Sequence, residues 1–297
     1  MPSIVFRFSF FLFFPIDTIL RRVKMSAINQ RQEARNMFVV PEFKTKIAMK
    51  RACAEYGLKS TILSIGADAK TVGGRVFGYE TGIIYMMPSS RLCPASKIAK
   101  CHDSCLVTAG RARIFKPIAM ARAAKARLFL ENTPLFFAKL IEELFAAKNK
   151  YGKQFCCRLN GTSDIAYENI SFIYKGNYYN NLFELFHDVQ FYDYTKRLNR
   201  LEKIISNYDL TASYSSASAS YAARCIEYGK QRRISVVFRN KHFPKYWHGM
   251  PVIDGNDDDL RFLEPTGVIV ALKAKGAAKY DTTGFVQECN ANIVSIG

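Results

Sequence analysis

Short apolar runs alternating with helical stretches constrain this chain more than any other feature. Gly82-Ile83-Ile84-Tyr85-Met86-Met87 is β-branched and apolar, and Pro88-Ser89-Ser90 stops it, the pattern of a buried strand. Pro117 then stands where the first turn of a helix accepts proline, ahead of alanine-rich Ile118 to Leu130, and Pro134 opens a second helix through Ala147. Further strands are predicted at Gln154 to Leu159, Val189 to Tyr194, Tyr208 to Tyr214, Ile234 to Arg239 and Val268 to Leu272, with helices over 196–207 and 217–229. Nearly continuous apolar strands joined by helical crossovers argue for a mostly parallel sheet, because parallel strands are covered on both faces and need long connections. The expected fold class is α/β: a partial or irregular (β/α) barrel of about six strands, with a mostly parallel sheet and helices outside.

Ahead of this pattern, residues 26–58 have helical spacing with Gly57 as the stop, and STILSIGADAKTVGG at 60–74 reads as a strand and a Gly-rich turn. Residues 1–24 form an apolar, basic extension. Arg7, Pro15 and Asp17 break its apolar run before it reaches the roughly 20 residues of a membrane span. No small-residue cleavage site follows, so a signal peptide is not expected. A start of translation upstream of Met25 and a weak membrane anchor through Arg21, Arg22 and Lys24 both remain open. Residues 25–297 are read as one barrel-like domain.

The most distinctive chemistry lies in LCPASKIAKCHDSCL, where Cys93, Cys101 and Cys105 follow the first clear strand with spacing C-x7-C-x3-C. A short loop closes at small entropic cost, and thiolate is the soft ligand that zinc and iron–sulfur clusters prefer. Three cysteines suit a cluster with one iron open to a ligand, whereas structural zinc wants a fourth protein donor, for which His102, Cys53 and Cys289 are candidates. A loop leaving a strand opens on the carboxyl edge of a parallel sheet, where α/β folds place their chemistry. Eight cysteines, two of them adjacent at Cys156 and Cys157, do not form a disulfide framework, so a reducing compartment is expected.

The net charge of +18 favours polyanions, so nucleic acid or a phosphate-bearing substrate is the expected partner. Arg111, Arg113, Lys116, Arg122, Lys125 and Arg127 form a run without an acid, and Arg122 and Lys125 are spaced to share a helix face suited to phosphate contacts. His242, Trp247 and His248 lie in HFPKYWHGM after the fifth strand, where the histidines are read as surface residues. Walker and Gly-rich dinucleotide patterns are absent, which leaves nucleotide hydrolysis and nicotinamide chemistry without support.

The cysteine loop, together with RLNGTSDIAYE at 158–168, VQFYDYTK at 189–196, YDLTASYS at 208–215 and DLRFLEPTGVIVALKAKGAAKYDTTGF at 259–285, resembles the phage gene product 88 family over about residues 60–290. A cysteine loop after the first barrel strand with polar residues at later strand ends is also similar to radical S-adenosylmethionine enzymes, although those space their cysteines C-x3-C-x2-C. That resemblance implies a four-iron cluster on Cys93, Cys101 and Cys105. It also implies S-adenosylmethionine held through its amino acid and ribose parts by Asn160, Asp164, Asp193, Tyr194, Lys196, Ser213 and Ser215. The implied protein is an iron–sulfur enzyme of phage type in the cytoplasm of the host cell, acting on an anionic or nucleic-acid-related substrate. The alternative is a non-catalytic nucleic-acid-binding protein whose cysteines hold zinc.

Overall fold

The computed structural model describes residues 37–66 and 69–289. The extension at 1–24 lies outside the described residues. Among the described residues thirteen strands follow one another: β1 (Phe38–Val39), β2 (Leu63–Ile65), β3 (Glu80–Ile84), β4 (Phe155–Arg158), β5 (Phe172–Tyr174), β6 (Asn177–Tyr179), β7 (Gln190–Thr195), β8 (Tyr208–Ser213), β9 (Arg233–Phe238), β10 (Tyr246–Trp247), β11 (Met250–Asp254), β12 (Val268–Lys273) and β13 (Val286–Gln287). The helices of ten or more residues are α1 (Lys46–Glu55), α2 (Lys116–Glu131), α3 (Thr133–Tyr151) and α4 (Ala219–Gln231).

The main sheet runs β10-β11-β12-β9-β8-β7-β4-β3-β2, with β13 also on β9, and only β2 and β10 pair antiparallel at its edges. The α/β reading and the mostly parallel sheet therefore hold. The path is open, and no pairing joins its two edge strands among the described residues. Consecutive strands lie side by side from β7 to β9, as short helical crossovers favour. β1, β5 and β6 make a separate small sheet that the sequence pattern does not announce.

Adjacent Cys156 and Cys157 show how the pleat divides the interior. Cys157 points into the large core with Phe136, Phe137, Leu140, Phe191, Ile234 and Val236, where the helices pack. Cys156 faces the opposite way, into a smaller cluster with Tyr192 and Leu260. Alternate residues of a strand face opposite sides, so the second face carries a different chemistry. It bears Arg158, Tyr194 and Thr211, and the irregular segment around Asp259 and Arg261 covers it.

Local signals explain the helix ends. Thr45 caps α1 by accepting from the Ala48 N–H at 3.1 Å, and Asn132 caps α3 by accepting from Leu135 at 3.1 Å. Pro117 and Pro134 occupy first-turn positions of α2 and α3. The expected helix over 196–207 is instead a 3-10 turn at Leu198–Glu202, because Arg200 is drawn into the interior. Among the described residues no helix is long and apolar enough to cross a membrane.

Candidate metal centre

The cysteine loop begins where β3 ends and is stitched to the carboxyl ends of the neighbouring strands. Thr162, after β4, donates its hydroxyl to the Met86 carbonyl at 2.6 Å and accepts from the Met86 N–H at 3.1 Å. Ser215, after β8, donates to the Ala99 carbonyl at 2.8 Å, and Ser104 donates to Asp281 at 2.9 Å. Within the loop, Pro94 starts a single 3-10 turn, the Cys93 N–H binds the Ser89 carbonyl at 2.8 Å, and Lys100 takes a left-handed φ of 51°. That reversal turns the chain just ahead of Cys101.

The three thiols share one electrostatic neighbourhood. Burial, then Cys105, Asp164 and Cys101, push Cys93 up to about 12. Burial also raises Cys101, against the pull of the Lys196 ammonium. Cys105 is raised by burial, with Cys101 adding to the shift and Arg122 opposing it. As donor chemistry, three thiols on one loop with cations near two of them are of the soft type that a metal or a cluster takes. Among the described residues, no group of three or more His, Cys, Asp or Glu side chains stands in coordinating geometry. Of the proposed fourth donors, His102 is exposed, Cys53 packs beside Lys139, Glu142 and Glu143, and the Cys289 thiol donates to the Asn240 carbonyl at 3.8 Å.

Most strand-end residues singled out in the sequence do come together. Asp193 accepts from the Asn160 N–H at 2.8 Å, the Asn160 side-chain amide at 3.0 Å and the Tyr208 hydroxyl at 3.0 Å. Asp164 accepts from Thr195 at 2.8 Å, the Lys196 N–H at 3.0 Å and Arg200 at 2.5 Å. These carboxylates are engaged by the protein itself. Lys196 donates to the Ser213 hydroxyl at 2.7 Å and to the carbonyls of Ser213 and Tyr214 at 3.0 and 3.1 Å. Its ammonium also sits over the Phe285 ring, 4.5 Å from the centroid. Tyr194 stands on the other face, donating to Asp259 at 2.9 Å while Arg158 ion-pairs with the same carboxylate.

Arg200, Glu168, Tyr208, Arg158 and Asp259 escaped the sequence reading. Arg200 binds Glu168 at 2.7 and 2.9 Å and lies in a polar stretch that composition assigns to solvent. The residues of the basic run differ in exposure. Arg113 is exposed, but Arg122 is half-buried and Lys125 is only 5% exposed. Arg111 lies in a single helical turn, Arg111–Ile114, and its side chain is outside the described residues. Trp247 packs edge-on against Tyr214 at 4.8 Å as part of the core, while His242 and His248 are exposed.

No curated protein and no solved structure matches the chain. A family model described as Gene product 88 matches residues 58–289, which span β2 through β13 and include the cysteine loop. The chain belongs to the phage gene product 88 family.

Proposed function

We propose that Cys93, Cys101 and Cys105 hold an iron–sulfur cluster at the carboxyl edge of the parallel sheet, and that the protein is a radical S-adenosylmethionine-like enzyme acting on an anionic substrate. The observation that carries this reading is that three thiols from one loop share an electrostatic neighbourhood, with Lys196 acting on Cys101 and Arg122 on Cys105. Thiolate ligands bring negative charge into a buried site, and these two cations offset it. Bound S-adenosylmethionine would supply radical chemistry through reductive cleavage of its sulfonium. The chain's own residues fix the loop, exclude water and place a fixed positive charge next to the sulfurs. Asn160, Asp164, Asp193, Lys196, Ser213 and Ser215 serve mainly to brace the strand ends, since their polar atoms largely bond to one another, to neighbouring strands and to the loop, while Tyr194 bonds Asp259 on the other face.

Anaerobic purification followed by absorption spectroscopy and analysis for iron, sulfide and zinc tests the proposal. Iron and sulfide together, with a broad visible band that bleaches on reduction and is lost in Cys101→Ala, are expected. Stoichiometric zinc without iron would overturn it in favour of a structural-zinc protein that binds nucleic acid, whose affinity for mixed-sequence DNA would fall steeply with salt.

A further inference from the structure

Arg122 and Lys125 lie one turn apart on α2, Lys125 buried and Arg122 half-buried, and Arg122 acts on Cys105 of the cysteine loop. The Nε and Nη1 atoms of Arg122 are buried and have no hydrogen-bond partner. Its guanidinium lies over the Tyr85 ring, 4.8 Å from the centroid, which fixes its orientation without supplying an acceptor. The backbone holds it in place as well, because the Arg122 carbonyl accepts from the Met87 N–H at 3.0 Å. Lys125 is 5% exposed, and Arg122 is close enough to disfavour its charged form.

The nearest acid does not resolve this. Glu143 influences Lys125, but its two oxygens accept from Ile62 and Leu63 N–H groups at 3.0 and 2.7 Å and pair with Lys139 at 3.2 Å. Neither Arg122 nor Lys125 forms an ion pair with a carboxylate among the described residues. Buried guanidinium donors without an acceptor, next to a second desolvated cation that Glu143 offsets only in part, are costly unless an anion shares the site.

We infer that Arg122 and Lys125 form a binding pocket for a small oxyanion, the carboxylate or phosphate group of a ligand seated beside Cys105. Burial decides the class of ligand. A duplex backbone reaches side chains displayed on a surface, whereas Lys125 is almost wholly covered and two donors of Arg122 are buried, which favours a terminal carboxylate or phosphate. Arg122 supplies directional donors and Lys125 a point charge, the usual division of labour at such sites. This names the ligand class of the proposed site, and it does not require that the cysteines hold iron.

Thermal unfolding of the purified full-length protein, titrated with inorganic phosphate, acetate or chloride at fixed ionic strength, tests the inference, because a ligand of the folded state raises the melting temperature with its concentration. Phosphate or acetate should stabilise the wild type at millimolar levels while chloride does not, and whichever of the two acts at lower concentration identifies the oxyanion. Arg122→Gln and Lys125→Met should each weaken that response about tenfold or more, the scale of one charge-assisted contact. A wild type that responds equally to all three anions overturns the inference, whatever the variants do. So does a normal response in both variants. Iron content measured on the same samples separates this outcome from the cluster proposal: Arg122→Gln that loses iron but keeps its oxyanion response would assign the arginine to the metal centre alone.

Discussion

The backbone N–H of Asp164 donates to the carbonyl of Leu92 at 2.8 Å, one residue before Cys93. Through that bond the cysteine loop inherits the rigidity of the network below it. The Asp164 carboxylate binds Thr195, the Lys196 N–H and Arg200, and Arg200 also clamps Glu168. The loop, the end of β4 and the end of β7 are therefore tied into one hydrogen-bonded network.

Arg200→Met should be strongly destabilising. Its guanidinium is the cation that Asp164 and Glu168 share, all three are buried, and removing it leaves two carboxylates without a counter-charge. Breaking a buried ion pair costs about 3–5 kcal/mol. Urea unfolding of the variant should show a loss in that range. A loss below about 1 kcal/mol would mean that the two carboxylates find other donors on relaxation.

Thr162→Val tests the coupling at the front of the loop. The hydroxyl both donates to and accepts from the Met86 backbone, and valine keeps the shape while leaving a buried N–H and carbonyl unpaired. About 1–3 kcal/mol of stability should be lost. The Thr162 carbonyl also faces the Cys93 thiol at 3.9 Å, so alkylation of Cys93 should accelerate. Mass spectrometry can read this against fully buried Cys225, which reports global opening. Equal acceleration at both cysteines would show that the whole fold, not the loop, had loosened.

The strands were legible because they are what buried parallel strands look like in sequence, continuous apolar runs such as Ile83-Ile84 and Val268 to Leu272. The position of Cys93, Cys101 and Cys105 at a strand's carboxyl end followed from the same pattern. What escaped were residues whose partners lie far along the chain. Arg200 in RLNRLEK has surface-like composition, and only the folded chain shows that Asp164 and Glu168 draw it inward; Arg122 and Lys125 stand out in the sequence by their spacing, but their burial does not. The small sheet of β1, β5 and β6 was invisible for a simpler reason, since strands of two or three residues are too short to carry a period.

Asp193 gives a pH dependence with a definite sign. Full burial raises its pKa to about 6 despite Arg158, Arg200 and the donors Asn160 and Tyr208. A carboxyl whose folded pKa lies above its unfolded value, about 4, holds its proton more tightly in the folded state, so stability falls as pH rises through that interval. Asp193→Asn removes the titration. The unfolding free energy of wild type relative to this variant should therefore decline from pH 4 to pH 6 and level off above, read by urea titrations across the series. A rise over the same interval would show that the donors outweigh burial and depress the pKa.

Gly161 and Gly229 make a contrasting pair. A Cβ on Gly161 would stand 2.7 Å from both Ile83 Cγ2 and Tyr85 Cδ1 and 2.8 Å from the Ile84 carbonyl oxygen, and the Gly161 N–H already binds that carbonyl at 3.0 Å. Two of these obstacles belong to or directly follow β3, and the third is backbone, so none can swing aside. Gly161→Ala should cost about 1–3 kcal/mol, the range of overpacking, and disturb the start of the cysteine loop. On α4 the obstacle at Gly229 is Met250, with Sδ at 3.0 Å, together with the end of Ile234 at 3.2 Å. Methionine is flexible enough to yield, and alanine gains roughly 1 kcal/mol of helix propensity over glycine. Gly229→Ala should stay within about 1 kcal/mol of the wild type and leave Cys93 alkylation unchanged, while Gly161→Ala accelerates it. Equal stability losses in the two variants would mean that close approach to β3 is not what requires glycine after Asn160.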